Sequence, residues 1–308
     1  MDLNRVLAIL RDQTTNIDLY FTEKCHDRYN TMVAGIADNA DGAQLKNIMK
    51  DLVDRNVTAI NADGLEEVAY NPTGYREGTV ESVTDDYIRE SYNEVIESFK
   101  NPENEGLEDS ADNLTFYTML FTHDNDVVRI MRRVSKFKRF YSKGIIAAFH
   151  GNELNRIQDK MIGLDGSVDI IDYDGEVLIL NHIALERIFR LDEKFESSAR
   201  TILNSLRNNQ KIGNFDSLEE DCLNDKRMQR TLTKMADEGI DWQHCLDHFE
   251  NVVNIIDTFE LEIDVIQTPE QMLMYEDKSQ LMAFIRLIRD AYYKTMINER
   301  NGIDQHIG

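Results

Sequence analysis

NLTFYTMLFTHDNDVVRIMRRV, residues 113–134, reads as two strands joined by a tight turn. Both halves are rich in the β-branched and aromatic side chains that fit a pleated, half-buried surface, and His123-Asp124-Asn125-Asp126 supplies turn chemistry between them. The same pattern follows twice more. GIIAAFH and ELNRIQ flank Gly151-Asn152, and VDIIDY and EVLILN flank Asp174-Gly175, an Asp-Gly pair suited to a two-residue hairpin turn. Successive hairpins predict an antiparallel sheet.

Upstream of this stretch, Ile17, Leu19 and Phe21 alternate with polar neighbours as a half-buried strand does. Leu45, Ile48, Met49, Leu52 and Val53 recur at helical spacing, and a helix starting near Thr84 carries Tyr87, Ile88, Tyr92, Val95, Ile96 and Phe99 on its apolar side. Beyond Asn181 the period becomes helical. Ser217 and Glu220 have the spacing of a capping box, Gly239 supplies a stop, and Trp242 to Ile256 reads as one helix. FELEIDV alternates as a late strand, and a last helix is expected from about Asp277 to Asn298. The predicted fold class is α+β: an antiparallel sheet of successive hairpins packed with helices over residues 1–180, and a mainly helical lobe over 181–308.

The chain has 308 residues, 57 acids against 34 bases, and a formal charge of −23. A field of that sign repels a polyanion at long range, but salt screens charges beyond about 8 Å, so a local basic site can still act. One exists in the sequence. RIMRRVSKFKRFYSKG, residues 129–144, holds Arg129, Arg132, Arg133, Lys136, Lys138, Arg139 and Lys143 with no acid among them, and Phe137, Phe140 and Tyr141 interleave with the cations. Cations with rings between them suit a nucleic-acid backbone and its bases. The competing reading pairs these cations with the protein's own carboxylates, above all those of Asp63–Asp126, where 17 acids face three bases.

Other chemistry is weaker. Asp165, Asp169, Asp172 and Asp174 cluster at a hairpin and could hold a divalent cation in a nuclease using Asp169 and Asp172, but the strand after the turn, Glu176-Val177-Leu178, lacks the supporting lysine, and turn chemistry explains such aspartates more cheaply. His244 and His248 stand four apart on a helix without a nearby third zinc ligand, and Cys25-His26 lacks an orienting group. No phosphate-cradling glycine loop or nucleophile elbow is present, so no cofactor is expected. Three widely spaced cysteines point to reduced thiols and a cytoplasmic protein. The longest apolar runs, such as Ile145 to Phe149, are far short of a membrane span, so any membrane contact is expected to run through a partner.

RRVSKFKRFYSKGIIAAFHGNELNRI, VDIIDYDGEVLILNHIALERIF and AFIRLIRDAYYKT together resemble the KwaB-like family of the Kiwa anti-phage defence system. The matching positions are Arg133, Ser135, Lys138, Lys143, Asp169, Ile179, Asn181, Glu186, Ile188 and Phe189, with Leu287, Asp290 and Tyr293 in the closing segment. The resemblance is patchy before residue 110 and good from about Asn113 to Leu206. It implies a protein that binds DNA, dimerises, and acts at the inner face of the membrane with a small multi-spanning partner, KwaA.

Overall fold

The computed structural model describes residues 1–25, 28–74, 77–83, 86–103, 106–134, 147–150, 153–156, 163–267 and 270–304, with the backbone alone at 86, 87, 147–150, 153–156 and 245. The chain divides into two compact units, one formed by residues 1–70 and 76–190 and the other by 71–75 and 191–308.

The first unit is built on an eight-stranded sheet. Its elements run α1 (Leu3–Arg11), β1 (Asn16–Cys25), β2 (Arg28–Ala34), α2 (Ala40–Asp63), β3 (Glu66–Ala69), β4 (Thr79–Ser82), α3 (Asp86–Ser98) and a single turn, α4 (Leu107–Ser110). Then come β5 (Leu114–His123), β6 (Asp126–Arg133), β7 (Ala147–His150), β8 (Glu153–Arg156), β9 (Ile170–Tyr173), β10 (Glu176–Ile179) and α5 (His182–Ile188). The strand order is β2-β1-β5-β6-β9-β10-β4-β3, and β7 pairs with β8 as a separate hairpin. The pairs are antiparallel, as the hairpin signals predicted, except that β3 and β4 run parallel.

Turn residues account for the central pairings. In the β5–β6 hairpin His123 pairs with Asp126, leaving two turn residues, of which Asp124 has φ +51°. In the β9–β10 hairpin both turn residues, Asp174 at +53° and Gly175 at +78°, are left-handed, and such turns match the twist of the strands they join.

On one face α1 and α2 cover the sheet: Val6, Ile9, Leu10, Met49, Val53 and Val57 pack with Ile17, Leu19, Phe21, Met119, Phe121, Val128, Ile130 and Ile171. Burying a side chain of this size contributes about 1.5–3 kcal/mol, so this layer dominates the unit's stability. Leu45 and Ile48, expected on the apolar side of α2, face water instead, and the inner stripe is Met49, Val53 and Val57 at four-residue spacing. On the opposite face α5 lies against β6, Tyr92 of α3 meets Phe189 edge-on, and the Tyr29 hydroxyl donates to the Ile188 carbonyl at 2.8 Å.

The second unit is mainly helical: α6 (Leu191–Asn209), α7 (Phe215–Leu223), α8 (Lys226–Asp237), α9 (Trp242–Asp247), α10 (Phe249–Thr258) and α11 (Leu281–Ile288). Short strands join them: β11 (Ile212–Gly213), β12 (Asp264–Ile266), β13 (Met272–Met274) and the hairpin β14 (Tyr292–Lys294) with β15 (Asn301–Ile303). Ala199, Ile202, Leu203 and Leu206 of α6 form a stripe in a core shared with Leu232, Met235, Phe249, Phe284 and Ile285.

Four expectations for this unit are corrected. The Ser217–Glu220 capping box does not form: α7 starts at Phe215 after a left-handed Asn214, and a new helix begins at Asp225, whose carboxylate caps Arg227 and Met228. The helix expected from Trp242 to Ile256 breaks at His248. Of FELEIDV only Asp264 and Val265 lie in a strand, β12, and Glu260 turns left-handed at φ +50° before it. The last helix stops at Ile288, and the chain then folds back as a hairpin after a left-handed Asp290 at φ +56°.

Candidate functional site

The basic stretch begins within β6 and continues beyond it. Lys136, Lys138, Arg139 and Lys143 lie outside the described residues, whereas Arg129, Arg132 and Arg133 stand on the last turns of the strand's pleat. Strand alternation places Arg132 on the α1–α2 face with Val128 and Ile130, and Arg129 and Arg133 on the other.

Arg132 is held by two aspartates. Its Nε and Nη2 donate to the Asp165 carboxylate at 2.9 and 3.0 Å, and its Nη1 donates to Asp169 Oδ1 at 2.7 Å. Asp169 is buried, 1% exposed, and its other contacts are also filled. The Asn181 amide reaches Oδ1 at 2.9 Å, and the Arg133 backbone N–H reaches Oδ2 at 2.8 Å. Asn181 then caps α5 by accepting from the Ala184 N–H at 3.1 Å. The bidentate contact with Arg132 is the main reason that the Asp165 carboxyl is held below the usual range.

Arg129 pairs with the equally buried Asp172 at 2.8 Å. Burial first, then the Asp172 carboxylate, pushes the Tyr92 hydroxyl well above its usual value. The carboxylates that meet these arginines thus come from the 165–172 segment, not from the acidic Asp63–Asp126 region. They also answer the aspartate cluster. Asp172 lies within β9 and Asp169 just before it, and they meet Arg129 and Arg132, which stand on opposite faces of β6, so the two carboxylates do not face a common point.

Arg133 differs from its neighbours. Among the described residues its guanidinium makes no ion pair or hydrogen bond. It is half-buried and lies within electrostatic reach of Arg187, an exposed residue in the last turn of α5. Burial and then the Arg187 charge hold its pKa below the usual arginine value.

A second polar cluster, missed by sequence reasoning, lies at the far side of the sheet. His182 Nδ1 sits 2.8 Å from Glu81 Oε2, its Nε2 is 3.5 Å from Glu186 Oε1, and the Tyr70 ring stacks on the imidazole at 4.9 Å. Burial opposes the charge on His182, but the Glu186 and Glu81 carboxylates outweigh it and push the pKa to about 9. Sequence could not show this, because β4, which carries Glu81, is a four-residue strand in an acidic region.

The remaining candidates are quickly placed. The rings of His244 and His248 lie 4.2 Å apart, with His248 Nδ1 3.0 Å from the His244 carbonyl. Among the described residues no three His, Cys, Asp or Glu side chains converge as a metal site. Cys25 is a free thiol, and its neighbour His26 lies outside the described residues. Among the described residues no helix is long and apolar enough to cross a membrane.

A family model described as Kiwa protein KwaB-like matches residues 111–298, more than half of the chain. The chain belongs to the KwaB-like family. Membership makes it a component of Kiwa anti-phage defence. The matched span of this KwaB-like chain takes in β5, β6, the basic stretch, the Asp169–Asn181 contact and α5. No curated protein and no solved structure matches it.

Proposed function

We propose that this chain is the DNA-contacting, non-catalytic subunit of its defence system, working as a homodimer in the cytoplasm beside a membrane-embedded partner of the KwaA type. The carrying observation is the concentration of seven cations and no acid at residues 129–144, inside the matched span of a chain with charge −23. On this reading Arg133, Lys136, Lys138, Arg139 and Lys143 neutralise phosphates, while Arg129 and Arg132, already paired with carboxylates, serve the sheet. Phosphate contact without base readout predicts affinity that is independent of sequence and falls steeply with salt.

The non-catalytic part of the proposal is supported at Asp169 and Asp172. Each is 1% exposed and neutralised by arginine, so neither offers free oxygens to a divalent cation. The rival nuclease reading predicts magnesium-dependent cleavage that Asp169→Asn abolishes.

The decisive experiment is fluorescence anisotropy on two duplexes of unrelated sequence over a salt series. Wild type binds both alike, and replacing Lys136, Lys138 and Arg139 by Ala weakens both alike and flattens the salt dependence. Equal binding by the variant removes the assigned site. Failure to retard DNA even at low salt favours the acidic-surface reading, in which the 17-to-3 excess of acids over Asp63–Asp126 docks a basic partner. Sedimentation velocity tests the homodimer.

A further inference from the structure

We infer that Asp169 is a positioning residue for the DNA-contacting segment: its buried carboxylate fixes the point at which the chain leaves β6 for the basic stretch. This rests on the DNA-contacting reading and deepens it.

The sheet explains why a side chain is needed there. β6 and β9 pair from Val128–Tyr173 to Met131–Ile170, and just past that end the Asp169 N–H donates to the Met131 carbonyl at 3.1 Å. Backbone groups alternate in direction along a strand, so the next donor of β6 on this side is the N–H of Arg133. β9 reaches no further, and a part-buried backbone donor without a partner is costly. Asp169 Oδ2 takes the place of the missing strand, accepting from the Arg133 N–H at 2.8 Å. On the other side the Val134 N–H donates to the Thr115 carbonyl at 3.0 Å. Both amides that precede Lys136, Lys138, Arg139 and Lys143 are therefore tied, one by a strand and one by a carboxylate.

The carboxylate is itself held in place. Its Oδ1 accepts from Arg132 Nη1 at 2.7 Å and from the Asn181 amide at 2.9 Å. The Asp169 carbonyl accepts from the Leu180 and Asn181 N–H groups at 2.8 and 3.2 Å. Asp165 differs, although it too binds Arg132. Its side chain is 45% exposed, and its carboxylate meets the Arg132 guanidinium and the Ser167 N–H, not the backbone of β6.

The two aspartates supply the test. In Asp169→Asn the two donors at Oδ1 keep the amide oxygen, so the amide N–H₂ is turned against the Arg133 N–H and the hold is lost. Asp165→Asn leaves the hold intact. Each substitution also removes one negative charge beside Arg132, which by itself strengthens attraction for a polyanion. Positioning and charge thus act with opposite sign in Asp169→Asn.

Fluorescence anisotropy on duplex DNA, well below the melting temperature of each protein, compares the folded forms. We expect Asp169→Asn to bind about 5–30-fold more weakly than wild type, the share of one backbone residue left to be ordered on binding. Asp165→Asn should bind as wild type does, or more tightly. Affinity of Asp169→Asn equal to or above wild type overturns the inference, because a merely structural role lowers the melting temperature without weakening the folded protein. An equal loss in both variants also overturns it, since that traces to Arg132. If wild type binds no duplex DNA at low salt, the DNA-contacting reading falls. In that case, or if Asp169→Asn does not fold, amide hydrogen exchange in wild type judges the hold itself. Protection at Arg133 comparable with that at Val134 upholds it, and exchange as fast as in the unfolded chain overturns it.

Discussion

Arg132 and Asp169 are bound across neighbouring strands, Nη1 to Oδ1 at 2.7 Å, while the Asp169 Oδ2 fixes the backbone of the next residue, Arg133. One buried carboxylate therefore sets both the partner of one arginine and the position of another. Removing one member of a buried pair costs about 3–5 kcal/mol, because the remaining charge keeps its desolvation penalty. Asp169→Ala is expected to lose about 3 kcal/mol, the low end, since Arg132 keeps Asp165. Asp165 is 45% exposed at its side chain, and Asp165→Ala should cost at most about 1 kcal/mol. Urea unfolding of the two variants checks the ordering, and equal losses would contradict it.

Arg129→Ala separates support of the sheet from phosphate contact. The change strips the counter-ion from Asp172, which is 1% exposed, while Tyr92 remains beside the carboxylate. Destabilisation of about 3 kcal/mol is expected, with DNA affinity of the folded protein at the wild-type level. Chemical denaturation and anisotropy on the same sample read both, and a fall in affinity without lost stability would return Arg129 to the basic interface.

Much of the first unit was legible because its signals are local. Alternation along Leu114–His123 and the turn residues Asp124, Asp174 and Gly175 act within a few positions, so the hairpins follow from sequence. The short parallel pair β3–β4 was not legible, since four-residue strands lack a readable period. At the C-terminus the apolar spacing continues past Ile288, and what stops the helix is backbone: Asp290 turns left-handed and redirects Tyr292 and Tyr293 into a hairpin. In the candidate site the cations were plain in sequence, but their partners were not. Arg132 meets Asp165 33 positions away and Arg129 meets Asp172 43 positions away, pairings set by the β6–β9 register.

Two glycines near the start of α2 give opposite expectations. A Cβ at Gly42 would lie 1.7 Å from the Ala37 carbonyl oxygen, a backbone atom that cannot swing aside, whereas a Cβ at Gly35 meets nothing within 4 Å. Alanine gains about 1 kcal/mol over glycine inside a helix, and overpacking costs about 1–3 kcal/mol. The clash wins at Gly42, where the Asn39 cap also ties the Gly42 N–H at 2.9 Å. Gly42→Ala should lower the melting temperature and Gly35→Ala should leave it nearly unchanged. A higher melting temperature for Gly42→Ala would refute the packing argument.

His182 gives the unit a dependence on pH in the mildly alkaline range. Its folded pKa is about 9 against an ordinary value of 6.5, because Glu186 and Glu81 outweigh the burial that opposes its charge. A raised folded pKa means that the native state binds the proton more tightly than the unfolded chain. The associated stability is therefore fully present below about pH 6.5 and is lost as pH rises through 9. The carboxyls whose pKa values are lowered, such as Asp165 and Asp126, titrate below this window, whereas the N-terminal amine, raised above its usual value chiefly by Glu176, adds a slope of the same sign, so the comparison with His182→Gln isolates the histidine's share. Unfolding free energy measured in urea should fall between pH 6.5 and 9 in wild type. In His182→Gln it should start lower and run flatter over the same interval. A wild-type profile that is flat or rising there would show that the imidazole is not held as a cation between Glu81 and Glu186.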